Sequence, residues 1–262
     1  MRRKAQQKTR RPTSRGARRP GRARGERTRR VRIRPNAAEA ARRILARLER
    51  HYPDARIELA YETPLQLLVA TILSAQCTDQ RVNQVTRTLF QKYRTAADFA
   101  RADPAVLMAE IRPSGFYRNK AWAIIGCCQR LVAEHGGEVP GTMEALTALP
   151  GVWRKTANVV LGNAFGKPAL AVDTHVIRVA NRLGLTATDD PDRIEQDLCA
   201  LIPPARWAQA THLFIFHGRY TCKALRPLCD RCPVYEDCLW PAKPKRQAPG
   251  PALRPAARAV RG

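Results

Sequence analysis

The 262-residue chain contains no run of some eighteen apolar residues, so no segment is long enough to span a bilayer as a helix. Its first residues also lack the apolar core of a secretory signal. Together these absences predict a soluble, cytoplasmic protein. The eight cysteines then belong in a reducing compartment, where a disulfide framework is not expected. Acidic residues are missing from both ends. Residues 1–35 hold sixteen Lys and Arg but a single acid, Glu26, and residues 241–262 hold six basic residues and no acid. Neither end has a hydrophobic run that could pack, and both are expected to be disordered tails. The first is Arg-rich but has almost no apolar face, which argues against a mitochondrial transit peptide. Between the tails, residues 36–240 are nearly balanced, with 25 basic and 21 acidic residues. The formal charge of +25 is therefore concentrated at the ends, where it either associates with a polyanion by counterion release or only keeps the chain in solution.

No alternating strand pattern is present, whereas helical periodicity runs through most of the middle. Ala41, Ile44, Leu45, Leu48 and Tyr52 form one apolar stripe, and Leu65, Leu68, Val69, Ile72 and Leu73 the next. Val82, Val85, Leu89 and Tyr93 follow, then Ala121, Ile124, Ile125, Cys128, Leu131 and Val132. Thr63-Pro64 and Asp103-Pro104 are N-cap and first-turn pairs, Thr142 opens a short segment, and Gly184 stands where a helix should stop. The fold class is all-α.

Near the C-terminus "CKALRPLCDRCPVYEDC" spaces Cys222, Cys229, Cys232 and Cys238 as C-x6-C-x2-C-x5-C. Thiolates this close together suit zinc or an iron–sulfur cluster. Structural zinc sites usually pair two short knuckles. Only Cys229 and Cys232 make one here, and the longer loops suit a bulkier cubane better. Cys77, Cys127, Cys128 and Cys199 fall on or beside helical stripes and read as core thiols.

In "LPGVWRKTANVV", residues 149–160, a short segment ends at Leu149, turns through Pro150-Gly151-Val152, and restarts as a helix near Arg154. This is a helix–hairpin–helix, whose exposed backbone N–H groups and second helix N-terminus make an anion site for a nucleic-acid phosphate. Lys155 is either one more phosphate contact beside Arg154 or an amine nucleophile. In the "AVDTH" that follows, Asp173 caps the next helix, a role compatible with that of a catalytic carboxylate because a cap fixes its orientation.

With the hairpin, the Lys155/Asp173 pair and the four cysteines in place, the chain resembles the endonuclease III family of helix–hairpin–helix DNA glycosylases. The matching segments are "LLVATILSAQCTDQRVNQVT" (67–86), "GFYRNKAW" (115–122), "LPGVWRKTANVV", "AVDTHVIRVANR", "HGRYTC" and the cysteine cluster. They cover about residues 37–240 and leave out both tails.

The resemblance implies two helical lobes. One is a six-helix barrel, about 57–167, carrying the hairpin. The other combines 37–56 with 168–240 and holds a [4Fe–4S] cluster on the four cysteines. It implies Lys155 as nucleophile, Asp173 as its carboxylate, and monomeric action on double-stranded DNA with damaged pyrimidines or abasic sites. In a bacterial cell this would take place at the nucleoid. Gln76 and Phe116 match residues that fill the gap left by an extruded base, although an aromatic in such a loop can equally pack into the core. Gly151, Val152, Trp153 and Arg154 of the hairpin, with Lys223 and Arg226 of the cluster loop, are the expected DNA contacts. Asp79 and His175 are expected to support the catalytic pair.

One position departs from the family. Trp153 stands where glycine is usual, and a positive φ there would cost on the order of 1–2 kcal/mol. Otherwise the indole packs on the hairpin or stacks on a sugar. Adenine-specific mismatch glycosylases of the same superfamily use a glutamate in the first barrel helix and lack the lysine. Here Lys155 is present and no carboxylate lies near Ala70-Thr71.

Overall fold

A computed structural model describes residues 33–246; the predicted tails fall mostly outside this range. Eleven α-helices and no strand occur among the described residues. They are α1 (Ala37–His51), α2 (Pro64–Leu73), α3 (Asp79–Lys92), α4 (Ala96–Ala100), α5 (Pro104–Glu110) and α6 (Tyr117–His135). Then come α7 (Met143–Thr147), α8 (Arg154–Ala164), α9 (Thr174–Arg182), α10 (Pro191–Leu201) and α11 (Trp207–Phe216). The caps act as their residue types require. Thr63 accepts from Gln66 N, Asp103 from Ala105 and Val106 N, and Thr142 from Ala145 N. Gly184, at φ +68°, ends α9 with Leu185 N donating to Ala180 O at 3.0 Å. Among the described residues no helix is long and apolar enough to cross a membrane.

Two separate apolar cores make two lobes. The first gathers residues from Leu59 to Ala169, so α2–α8 surround one interior. The second takes Ala40 to Ala55 from α1 and its exit, then Leu170 to Val234 from α9–α11 and the segment after them. The chain passes from one core to the other between Ala169 and Leu170, and polar ties cross that seam. Arg154 holds Glu195 in a bidentate pair at 2.8 and 2.8 Å, and Asn158 Nδ2 reaches Glu195 at 3.0 Å and Leu170 O at 3.1 Å. His212 meets Asn163 Oδ1 at 2.8 Å.

Residues 33–35 and 241–246, placed in the tails from composition, make definite contacts with the second lobe. Arg34 N donates to Gly184 O at 3.2 Å, and the Arg34 side chain reaches the Asp237 carbonyl. Lys243 Nζ donates to Cys238 O at 2.9 Å and Arg246 to Cys232 O at 3.0 Å.

The His212 tie makes the seam acid-sensitive. Burial pushes its pKa down to about 4, whereas an unfolded histidine titrates near 6.5. As pH falls the unfolded chain takes the proton first. The stability is complete above about pH 6.5 and drains away toward pH 4, on the order of 3 kcal/mol in all. Urea unfolding at stepped pH should show this slope. His212→Gln, which keeps a donor for Asn163, should lose this residue's share of it.

Candidate active site

Lys155 is the second residue of α8, exposed and free of hydrogen bonds or ion pairs among the described residues. Asp173 is the N-cap of α9, with Oδ1 accepting from His175 N at 2.8 Å and Val176 N at 2.9 Å. The cap leaves Oδ2 without a hydrogen bond from the described residues. Both side chains line one cleft between the lobes. An amine from the first lobe and a carboxylate from the second therefore share one concave site, the arrangement expected of a nucleophile and its proton partner.

Arg219 lines the same cleft. It lies in a π-helical turn, His217–Thr221, closed by Cys222 N donating to His217 O at 2.6 Å. Its guanidinium holds Asp79 at 2.7 Å and pairs with Glu58, which also accepts from Tyr220 at 2.7 Å. Burial disfavours the Arg219 charge, but Asp79 and Glu58 outweigh it and hold the pKa above its ordinary value. Asp79, the first residue of α3, thus lines the cleft already paired. His175 packs beneath the turn. A Cβ on Gly218 would lie 2.8 Å from the His175 Cβ, so only glycine allows the approach. Burial lowers the His175 pKa, with Asp173 opposing and Arg178 reinforcing. His175 Nδ1 therefore accepts from Arg178 at 3.0 Å while that guanidinium also holds Gly218 O at 2.9 Å.

The hairpin lies at the rim. Leu149 and Val152 are buried, so Val152 anchors the turn through its side chain, and its N–H is taken by Leu149 O at 3.2 Å. Gly151 has φ +73°, and an added Cβ would stand 2.6 Å from the Ala123 Cβ of α6. Gly151→Ala should lose on the order of 1–2 kcal/mol from the left-handed conformation alone. The contact with α6 adds to that, and duplex affinity should fall because the turn must move; urea unfolding with DNA titration measures both.

Trp153 does not carry the strain anticipated from its replacement of glycine. Its backbone is extended, φ −100° and ψ 168°, and its side chain is 79% exposed, so it does not pack on the hairpin either. As N-cap of α8 it has no acceptor to offer, and the first N–H groups of that helix stay open toward an anion. Arg154 differs from expectation more sharply. Its guanidinium, expected at a phosphate, is occupied by Glu195 across the seam.

Gln76 and Phe116 are the two non-glycine residues with positive φ among the described residues, at +53° and +48°. Gln76 is exposed in the turn between α2 and α3, and Phe116, ahead of α6, is 64% exposed. The core reading of Phe116 fails. Neither conformation is comfortable for an L-residue, and such strain persists only where the surroundings impose it.

Cys222, Cys229, Cys232 and Cys238 line one pocket in the second lobe, with Arg182, His217 and Trp240 among its walls. None of the four forms a disulfide among the described residues. Burial raises the Cys232 pKa to about 12 and also raises those of Cys229 and Cys238, with the neighbouring sulfurs adding to the effect. Arg182 supplies a compensating cation, donating to Cys222 Sγ at 3.3 Å and stacking over Trp240 at 3.9 Å. Four thiols lining one pocket are a donor set that fits a thiophilic centre such as zinc or an iron–sulfur cluster. Lys223 and Arg226 are exposed on the loop between Cys222 and Cys229.

Sequence reasoning missed Arg219, Glu58 and Glu195. Arg219 sits inside the quoted "HGRYTC", but one arginine among 47 basic residues carries no local mark. Its partners Glu58 and Asp79 lie more than a hundred residues away in the chain.

Comparison with known proteins agrees with this geometry. Residues 69–204 match the HhH-GPD superfamily of base excision DNA repair proteins. The chain is 52% identical to endonuclease III of Synechocystis sp. over 201 residues, which is 76% of this chain and 92% of that protein. It is 41% identical to endonuclease III of Escherichia coli K12 over 200 residues, 76% and 95% respectively. A solved non-covalent endonuclease III–DNA complex superposes with a TM-score of 0.75 at 46% identity, covering 77% of this chain and 95% of that one. With its two helical lobes, its hairpin, and a lysine and an aspartate facing one cleft, the chain belongs to the endonuclease III family of base-excision DNA repair glycosylases and lyases.

Proposed function

We propose that this DNA glycosylase and abasic-site lyase acts on duplex DNA carrying ring-saturated or oxidised pyrimidines, with Lys155 as nucleophile and Asp173 as its proton partner. The observation that carries this reading is the placement of both side chains in one interlobe cleft. A pyrimidine that has lost aromaticity stacks poorly and is cheaper to flip out of the helix. The neutral Lys155 amine attacks C1′ as the glycosidic bond breaks and the electron pair leaves with the base. Asp173 takes the proton from the amine and stabilises the positive charge developing on the sugar. In the resulting aminal the C1′–O4′ bond then breaks, O4′ takes up a proton as the sugar ring opens, and the nitrogen lone pair completes a Schiff base. The imine acidifies a C2′ proton, whose removal expels the 3′ phosphate by β-elimination. Water then releases Lys155 and the cleaved strand.

Gln76 and Phe116, exposed on adjoining turns, fill the gap left by the extruded nucleotide. Gly151, the open N-terminus of α8 below Trp153, Lys223 and Arg226 contact the phosphates, while Arg154 supports the site by tying the lobes. Asp79 and His175 act by holding the π-turn and Arg219 at the cleft wall. The four cysteines hold a [4Fe–4S] cluster, which supplies a structural cross-link; no step of the reaction requires electron transfer. The protein works as a monomer in the cytoplasm at the nucleoid, and the arginine-rich N-terminal segment adds a salt-dependent, sequence-independent affinity.

Borohydride trapping on a duplex with one thymine glycol tests the reading, with an abasic-site duplex and an undamaged duplex alongside. A covalent adduct on the first two only is expected. Adduct on the abasic duplex but not on thymine glycol would remove the lesion class while leaving the lyase. No adduct on either would remove the mechanism.

A further inference from the structure

Lys120 lies on α6, one turn after Phe116, and is 5% exposed. Its Nζ donates to Leu73 O at 2.8 Å and to Ser114 O at 2.8 Å, two carbonyls from segments 41 residues apart. Leu73 ends α2, three residues before Gln76, and Ser114 ends the short 3-10 turn Arg112–Ser114, two residues before Phe116. The Lys120 backbone N–H also donates to Phe116 O at 3.2 Å. One side chain thus links the two turns that carry the two positive-φ residues.

Among the described residues no carboxylate pairs with this ammonium, and burial pulls its pKa down, with the nearby Cys77 thiol opposing. Burying a cation against carbonyls alone is an expensive way to build a core. An apolar residue such as methionine would pack there at lower cost, so the position calls for what only the ammonium provides. It is a three-donor head on a long stem that binds both carbonyls at once.

We propose that Lys120 is a positioning residue that sets the spacing of the Gln76 and Phe116 turns, so that both side chains enter the gap opened by an extruded nucleotide together. The inference rests on the gap-filling assignment of those two residues. Without the ammonium, the Leu73 and Ser114 carbonyls lose a shared partner, and each turn can relax from its left-handed residue independently. Misplacement of such side chains by about 1 Å is enough to cost on the order of 10²-fold in rate.

The test uses the full chain with Lys120→Met and Lys120→Gln, the second retaining donors for one carbonyl should the first fold poorly. Two rates are read: single-turnover base excision from a thymine-glycol duplex, and Schiff-base trapping on a single-stranded abasic oligonucleotide, where there is no opposing strand and no gap to fill. A 2-aminopurine opposite the lesion reports whether the gap is filled. The expected result is a fall of about 10- to 100-fold on the duplex, an altered 2-aminopurine signal and an unchanged rate on the single strand. Adding Lys120→Met to a variant that already carries Gln76→Ala and Phe116→Ala should slow it no further. Equal losses on both substrates, or an additive loss in that triple variant, would make Lys120 a stability residue only and overturn the proposal. If Phe116→Ala itself leaves duplex excision and the 2-aminopurine signal unchanged, the gap-filling assignment is what fails. If Phe116→Ala slows excision but Lys120→Met and Lys120→Gln do not, the assignment stands and the Lys120 proposal falls.

Discussion

Lys155→Ala is expected to abolish the borohydride-trapped adduct and strand scission while leaving the protein folded. The side chain is exposed at the head of α8 and bonds to nothing among the described residues, so its removal opens no cavity and strands no partner. Alanine is also the best helix former. The thermal unfolding midpoint should therefore hold within the small range of a surface substitution. The chemical loss should be large, because a covalent route splits one difficult step into two and no other amine lines the cleft. A fall of roughly 10⁴-fold or more in scission is the scale seen when a nucleophile is deleted. Asp173→Asn is the informative companion. Its Oδ1 still accepts from His175 and Val176, so the cap of α9 persists, but the amide can neither take a proton nor carry charge. A loss on the order of 10²–10³-fold is expected, comparable with removing a dedicated electrostatic contact, with folding unaffected. Full trapping by Lys155→Ala would transfer the nucleophile elsewhere.

Cys232→Ala is expected to lose the iron–sulfur chromophore and to loosen the whole C-terminal part of the second lobe. Cys232 is buried, and its pocket has thiols on several sides and Arg182 bonded to one of them. The surrounding loop is tied widely. Asp237, between Cys232 and Cys238, takes Arg43 at 2.9 Å and Arg47 at 2.9 Å from α1, and Arg34 also reaches it. Lys243 and Arg246 bond the backbone of Cys238 and Cys232. If the loop opens, those contacts lose their geometry together, because the segment has little periodic structure of its own. The measurements are iron per chain, expected at about four in the wild type for a cubane, and the rate of limited proteolysis after residue 217. Cys199→Ala is the control: its thiol sits beside Glu195, away from the cluster pocket, and iron should be retained. A Cys232→Ala protein with full iron content, or an iron-depleted wild type with unchanged proteolysis, would show that the pocket does not need the group.

The helices, their caps, the hairpin and the cysteine spacing were legible along the chain, whereas the pairing of Lys155 with Asp173, 18 residues on, came from the family resemblance. Each of those legible features depends on residues within about one or two helical turns of each other, and local backbone preference or ligand spacing acts at that range. Thr63, Asp103 and Thr142 cap helices whatever the rest of the molecule does. What the chain could not disclose depends on groups far apart in sequence. Arg154 looked like a phosphate ligand until Glu195, 41 residues on, occupied it. Arg219 became the cleft wall because Asp79 and Glu58 converge on it from the other lobe. Lys120 would pass for an ordinary polar residue of a helix but is buried between two turns. The conformation of Trp153 could be posed only as a condition, and the folded hairpin answers it with an extended backbone. Periodicity states which face of a helix is buried; which charged group meets which is decided only when two separately folded cores close on a shared seam and desolvate the polar groups between them.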